Sequence, residues 1–159
     1  MTTTRANAWG FALVALCAST CAPALGLDLR QAWINPGFYS YHLQRDKDLN
    51  NVNTGLGVEL PLTDTYSVTA GVFDNSDRAT SHYMGLYAMP YRLGPFKAGV
   101  VMGAFNGYPK AFDGGWFPAV IPVVSMEGRQ LGLNVSFVPT VGDKLHGAVT
   151  FQLKYRFAD

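Results

Sequence analysis

His42 and the run Asp74-Asn75-Ser76-Asp77 are the residues of this chain whose types could do chemistry together. A histidine within hydrogen-bond reach of a serine can act as general base for acyl transfer, provided a third polar group holds its ring. In that reading His42 is the base and Ser76 the nucleophile, or a hydroxyl on the oxyanion side. Asp74 or Asn75 is then the orienting group. The other reading makes residues 74–79 a solvated turn, because Asp, Asn and Ser all favour turns, and His42 a hydrogen-bonded structural histidine. The elements that carry the two segments decide between them.

The chain has 159 residues, enough for one domain. Its start reads as a secretory signal: Arg5 is the charge of a short n-region, "WGFALVALCA" (9–18) is an apolar h-region, and small residues allow cleavage after Ala24 or Gly26. The apolar run is too short to span a bilayer as a helix, so residues 1–26 are set apart and 27–159 are read as one domain. Cys17 and Cys21 raise a lipoprotein signal as an alternative, but Leu16 and Thr20 precede them where a small residue is wanted. Both cysteines fall inside the leader, which leaves no disulfide framework and no thiolate metal site in the rest. Without Arg5 the remaining chain has eleven basic and eleven acidic residues, so no electrostatic reason to bind nucleic acid.

Charged residues make up 14% of the chain, against roughly 25% in a soluble domain. Glycine and aromatic residues are plentiful, and no later apolar run reaches the ~18 residues of a membrane helix. An exported chain of this kind points to the other membrane solution, a closed β-barrel. Period-two alternation supports it. "GFYSYHLQR" (37–45) places Phe38, Ser40, His42 and Gln44 on one face, and "TGLGVELP" (54–61) sets Leu56, Val58 and Leu60 against Gly57 and Glu59. "TYSVTAGVF" (65–73), "QLGLNVSFVP" (130–139) and "GAVTFQLKYRF" (147–157) alternate in the same way. "SHYMGLYAMP" (81–90) and "FKAGVVMGAF" (96–105) are apolar on both faces and leave their orientation open; "WFPAVIPVVSM" (116–126) carries two prolines.

These segments make eight strands, the smallest usual outer-membrane barrel, antiparallel and up-and-down. With a periplasmic N-terminus, the connections after strands 1, 3, 5 and 7 are external and long, while "LTDT", "YRLGP" and "EGR" are short turns at the other end. The alternation then sends His42, Glu59, Asn134, Lys154 and Arg156 into the lumen. It also puts His42 and Ser76 at the same outer rim. A lipocalin-like barrel or a secreted β-sandwich is the soluble alternative; both would place apolar residues inside.

The chain resembles the lipid A palmitoyltransferase family of small outer-membrane barrels. "NPGFYSYH" (35–42) is similar to that family's first strand, which carries a proline and ends at the catalytic histidine, the position of His42. "IPVVSMEGRQLGLNVSFVP" (121–139) matches the family's run from one strand proline to the next, and "FQLKYRF" (151–157) its aromatic last strand. Aligning "GVFDNS" (71–76) on the third strand puts Asn75-Ser76 where the family has Asp-Ser. The competing match, "GLYAM" (85–89), would put Leu93-Gly94 there, at the wrong end and with the chain short of strands. The resemblance implies transfer of a fatty acyl chain from a phospholipid to lipid A, with no cofactor, by a monomer in the bacterial outer membrane. It also implies a lateral gate for lipid at Pro122 and Pro139, whose other reading is strand ends or bulges. A family glycine at the floor of the acyl pocket falls near Tyr87, which would shorten the pocket. Two departures stand out: Asn75 in place of Asp, and a segment before strand 1, "LDLRQAWINP", too short for the family's amphipathic helix.

Elsewhere, His42, His82 and His146 lack metal-ligand spacing. Glu59 is expected to pair with Lys154 or Arg156 as a lumen plug, because an unpaired buried charge is costly. Two functions follow as expectations, a lipid A acyltransferase and a non-catalytic envelope or surface-interaction barrel on the same scaffold. A lipid A deacylase ranks last, since no His-x-Ser string stands on a late strand.

Overall fold

A computed structural model describes residues 28–142 and 144–157. The expected leader lies outside these residues. Eight antiparallel strands follow one another around a closed barrel: β1 (Trp33–His42), β2 (Val52–Pro61), β3 (Tyr66–Asp74), β4 (Thr80–Leu93), β5 (Phe96–Phe105), β6 (Phe117–Glu127), β7 (Leu131–Val138) and β8 (Ala148–Arg156). Every strand neighbours the next in sequence, and β1 closes the ring against β8. At one end the connections are 43–51, 75–79, 106–116 and 139–147; at the other they are 62–65, 94–95 and 128–130. This is the long-and-short asymmetry read from the sequence. Before β1 there is a single 3₁₀ turn, Leu29–Gln31, and no α-helix occurs among the described residues.

The alternation decides which side chains face in. Leu56, Leu131 and Leu153 are 61%, 66% and 63% exposed on the outer face, whereas Glu59, Asn134 and Lys154 are buried within the ring. Toward the short turns the interior is polar and charged, where a soluble barrel would be apolar. In β4 and β5, both undecided by pattern, cross-strand register settles the faces: Tyr83 and Tyr87 turn inward, Met84 and Met102 outward. The first strand starts earlier than its alternation suggested, at Trp33, and ends at His42 rather than beyond it. Pro36 cannot donate to the ladder, and the register with β2 shifts between Asn35 and Gly37. Gly37 takes φ +102 there, with its α-carbon against the Asn53 carbonyl, so no side chain fits.

The lumen has three levels. Nearest the short turns, Lys97, Glu127, Lys154 and Glu59 form a chain of ion pairs at 2.6, 2.8 and 2.8 Å. Lys154 is therefore the partner of Glu59. Arg156 instead bonds Gln31 and the Arg129 and Gly128 carbonyls, and it and Lys154 both lie over the Trp33 ring, at 4.3 and 4.9 Å. Two cations and two anions cancel, which makes their joint burial tolerable. At mid-height Tyr83 lies across β2 and β3 where Gly57 and Gly71 are cross-strand partners. A Cβ on Gly71 would stand 2.6 Å from Tyr83 Cε1, and one on Gly57 would overlap the tyrosine hydroxyl. The paired glycines make the recess that holds the ring. Above this level the lumen is open.

Candidate active site

The open upper lumen is a cavity of about 340 Å³. Phe38, Phe73, Val101, Phe105, Phe117 and Ile121 give it apolar walls, with Tyr83 and Tyr87 at the bottom. Tyr87 is buried, and its hydroxyl is 3.5 Å from Asn134 Nδ2, the top of the polar plug. The residue expected at the pocket floor is thus at the boundary between apolar cavity and charged plug.

His42, the last residue of β1, and Ser76, in the β3–β4 connection, meet at the upper wall of this cavity. His42 Nε2 is 2.8 Å from Ser76 Oγ, and His42 Nδ1 is 2.7 Å from Asn51 Oδ1. An amide oxygen only accepts, so Nδ1 carries the ring proton and Nε2 is left to accept from the serine hydroxyl. That is the tautomer a general base needs. His42 is buried, yet it lines the cavity, so its ring is shielded from bulk water and open to a ligand.

The group that orients the ring is therefore Asn51, and neither Asp74 nor Asn75 reaches it. Asp74 ends β3 on its exposed side and accepts from Thr54 Oγ1 at 3.0 Å. Neighbours in a strand point to opposite faces, so Asp74 points away from the lumen into which Phe73, the residue before it, is buried. Asn75 is 0% exposed and fully committed elsewhere: Nδ2 donates to Ser81 Oγ at 2.9 Å and to the Gly107 carbonyl at 2.8 Å. Its Oδ1 accepts from the Asp77 and Ala79 amides at 2.9 and 3.0 Å. Two donors and two acceptor sites are the whole capacity of an amide. Aspartate could not donate in either direction, which is the physical reason for asparagine at this position.

Asparagines also lock the two connections together. The Asn50 amide donates to the Ser76 carbonyl at 2.9 Å, Asn50 Nδ2 to the Asn75 carbonyl at 3.3 Å, and Asn53 Nδ2 to the Asp74 carbonyl at 2.8 Å. Ser76 is held against His42 from the backbone. His146, on the β7–β8 connection, also lines the cavity and bonds Gln44 Oε1 through Nδ1 at 2.8 Å. Burial, and then the nearby Lys47 charge, push its imidazole below the usual range, so it stands neutral at neutral pH. His82 is exposed and bonds Asn106, away from the cavity lining. No grouping of His, Cys, Asp and Glu fit for a metal ion occurs among the described residues.

The ladder between β6 and β7 runs from Glu127↔Gly132 to Val123↔Ser136 and stops there. Residues 117–122 of β6 keep their pairing with β5, and Phe137 and Val138 keep theirs with β8. Pro122 and Pro139 flank this unpaired upper seam. Pro118 and Val120, which face outward, border the cavity together with Ser136, Val138 and Pro139. The cavity thus reaches the outer surface of the barrel between β6 and β7.

Comparison with models of known families and with curated proteins returns no match, so the resemblance stands on its quoted residues alone. Asn51 was missed in the sequence, though a signal for it exists. Val52 pairs with Tyr39, both facing out, so its neighbours Asn51 and Asn53 fall on the side of Ser40 and His42; Asn53 is buried there, while Asn51, just before β2, stays exposed at the rim and reaches His42 from above.

Proposed function

We propose that this protein is an outer-membrane acyltransferase that moves a fatty acyl chain from a phospholipid to lipid A. The observation that carries the reading is the Asn51–His42–Ser76 line, 2.7 and 2.8 Å per step, at the top of an apolar cavity open to the barrel's outer surface. The apolar outer face calls for lipid around the ring, and a lumen closed by ion pairs gives no through-channel. A donor chain would enter between Pro122 and Pro139, lie on the aromatic walls down to Tyr87, and bring its ester to the upper wall.

There Ser76 Oγ attacks the ester carbonyl while His42 Nε2 takes the hydroxyl proton, and the proton then passes to the departing lyso-lipid oxygen. A sugar hydroxyl of lipid A, deprotonated by the same nitrogen, attacks the acyl-serine and returns the proton to Ser76. Each ester broken is replaced by one formed, so the reaction needs no cofactor. The inert-barrel reading leaned on Asn75, and the four hydrogen bonds of that side chain account for the residue without a lapsed site.

The test is mass spectrometry of lipid A from cells lacking a native acyltransferase, with and without this protein. A heavier lipid A species is expected, lost at least about 10³-fold with His42→Ala or Ser76→Ala while both variants stay folded in the outer membrane. An unchanged profile from folded wild-type protein would sink the proposal. Activity surviving in Ser76→Ala but not in His42→Ala would mean direct attack by the sugar hydroxyl.

A further inference from the structure

We propose that the hydroxyl of Tyr108 is a catalytic hydrogen-bond donor, aimed at the carbonyl oxygen of the ester that reacts beside His42 and Ser76. The inference rests on the acyl-transfer reading and adds to it the group that stabilises the negative charge on oxygen.

Tyr108 lies in the β5–β6 connection and lines the same cavity as the histidine and the serine. One contact ties its connection to the one that carries Ser76. Asn75, the residue before Ser76, donates its amide to the carbonyl of Gly107, the residue before Tyr108, at 2.8 Å. The Tyr108 carbonyl accepts from the Ala111 and Gly114 amides at 3.0 and 3.1 Å, and the ring sits edge-on against Phe117, centroids 5.9 Å apart. Backbone and ring are held in place before any ligand arrives.

The hydroxyl itself makes no hydrogen bond among the described residues, and Tyr108 is half-buried on the cavity wall, so its O–H is free to donate to a ligand. Other polar side chains that line the cavity are already bonded. Ser40 donates to Asn53 at 2.6 Å, Thr69 to the Val58 carbonyl at 2.9 Å, and His42 is engaged at both nitrogens. Burial, and then the charge of Asp77, push the Tyr108 phenol well above its ordinary value, so it remains a donor throughout the working pH range. Acyl transfer through a tetrahedral intermediate places negative charge on the former carbonyl oxygen, and a preorganised donor at that point contributes about 10²–10³ in rate.

The experiment compares wild-type protein, His42→Ala and Tyr108→Phe, all folded in detergent micelles, on a p-nitrophenyl ester of a long-chain fatty acid. Tyr108→Phe removes one oxygen and should lower kcat about 10²-fold with KM nearly unchanged. The rate at which an alkyl fluorophosphonate labels Ser76 should fall by a similar factor, because phosphonylation also builds charge on oxygen. Ester cleavage abolished by His42→Ala but unaffected by Tyr108→Phe would overturn this inference alone, as would a change confined to KM. No cleavage by wild-type protein, together with an unchanged lipid A profile, would overturn it along with the acyl-transfer reading.

Discussion

Asn75 Nδ2 stands 2.8 Å from the carbonyl oxygen of Gly107, and this bond joins the connection that carries Ser76 to the one that carries Tyr108. The same side chain turns its oxygen back onto the Asp77 and Ala79 amides, so one buried residue shapes its own loop and ties it to the next. An asparagine at a position that invites comparison with a catalytic aspartate is here a structural link.

Asn75→Asp should therefore damage the protein rather than improve it. The carboxylate would face the Gly107 carbonyl with no proton to donate, in a site with no exposure. A loss of about 2–4 kcal/mol is expected, read as a lower urea midpoint in detergent or liposomes. Higher activity at unchanged stability would show that residue 75 belongs to the catalytic line.

Asn51 holds the His42 ring by a neutral acceptor, and the two ways of replacing it differ in sign. Asn51→Ala frees the ring and should cost roughly 10²-fold in rate through misplacement. Asn51→Asp keeps an acceptor but adds a negative charge beside Nδ1, which favours the protonated ring. A protonated ring cannot take the serine proton, so Asn51→Asp should lose activity on the acid side of the rate profile while keeping its alkaline plateau. A profile identical to wild type in Asn51→Asp would disconnect this residue from His42.

The glycine pair under Tyr83 makes a coupling prediction. Gly71→Ala places a Cβ 2.6 Å from the ring edge and should cost about 1–3 kcal/mol, since the ring must tilt out of its recess. In Gly71→Ala/Tyr83→Ala the clash is gone, so the two losses should sum to clearly more than the loss in the double variant. Simple additivity in unfolding measurements would show that the glycines do not serve the tyrosine.

At the cavity floor Tyr87→Ala removes the ring between the apolar walls and Asn134. A longer transferred chain should then fit, and the mass increment on lipid A should shift upward. An unchanged increment would place the depth limit elsewhere, with Tyr83 as the next residue to vary.

Lys154 bridges Glu59 and Glu127 at 2.8 Å each and is 1% exposed. Lys154→Met leaves Glu59 buried without its cation and should destabilise the barrel by about 3–5 kcal/mol. Adding Glu59→Gln should recover part of that loss. No recovery would mean that the lysine contributes by filling space and by lying over Trp33.

The barrel was legible in the sequence because its physics is one-dimensional. Side chains of a strand alternate with period two, so Leu56 and Val58 against Gly57 and Glu59 fix a face without knowledge of any neighbour. Strand count, loop asymmetry, the lumen position of His42 and the arrival of Ser76 at the same rim all follow from such local counting. Where both faces are apolar, as in β4, counting has nothing to work with; Tyr83 turns inward because Gly71 on the next strand and Gly57 on the one beyond leave a recess.

The partners within the site could not be read in the same way. Alternation puts Asn51 on the side of His42, but whether its amide or Asp74 reaches the ring depends on the path of the β1–β2 connection, fixed by hydrogen bonds to residues some 25 positions later. Asn75 looked like a displaced carboxylate because its role is set by Ser81 and Gly107, the second 32 residues on. Pro122 and Pro139 marked a weak seam in the sequence; that the ladder ends at Val123↔Ser136 and lets the cavity reach the outer surface is a property of the paired strands. The sequence determined the ring and the faces of its strands, since those depend on neighbours along the chain. Tertiary structure decided which side chain meets which, because hydrogen bonds form between atoms brought within about 3 Å by the register of strands that are distant in the chain.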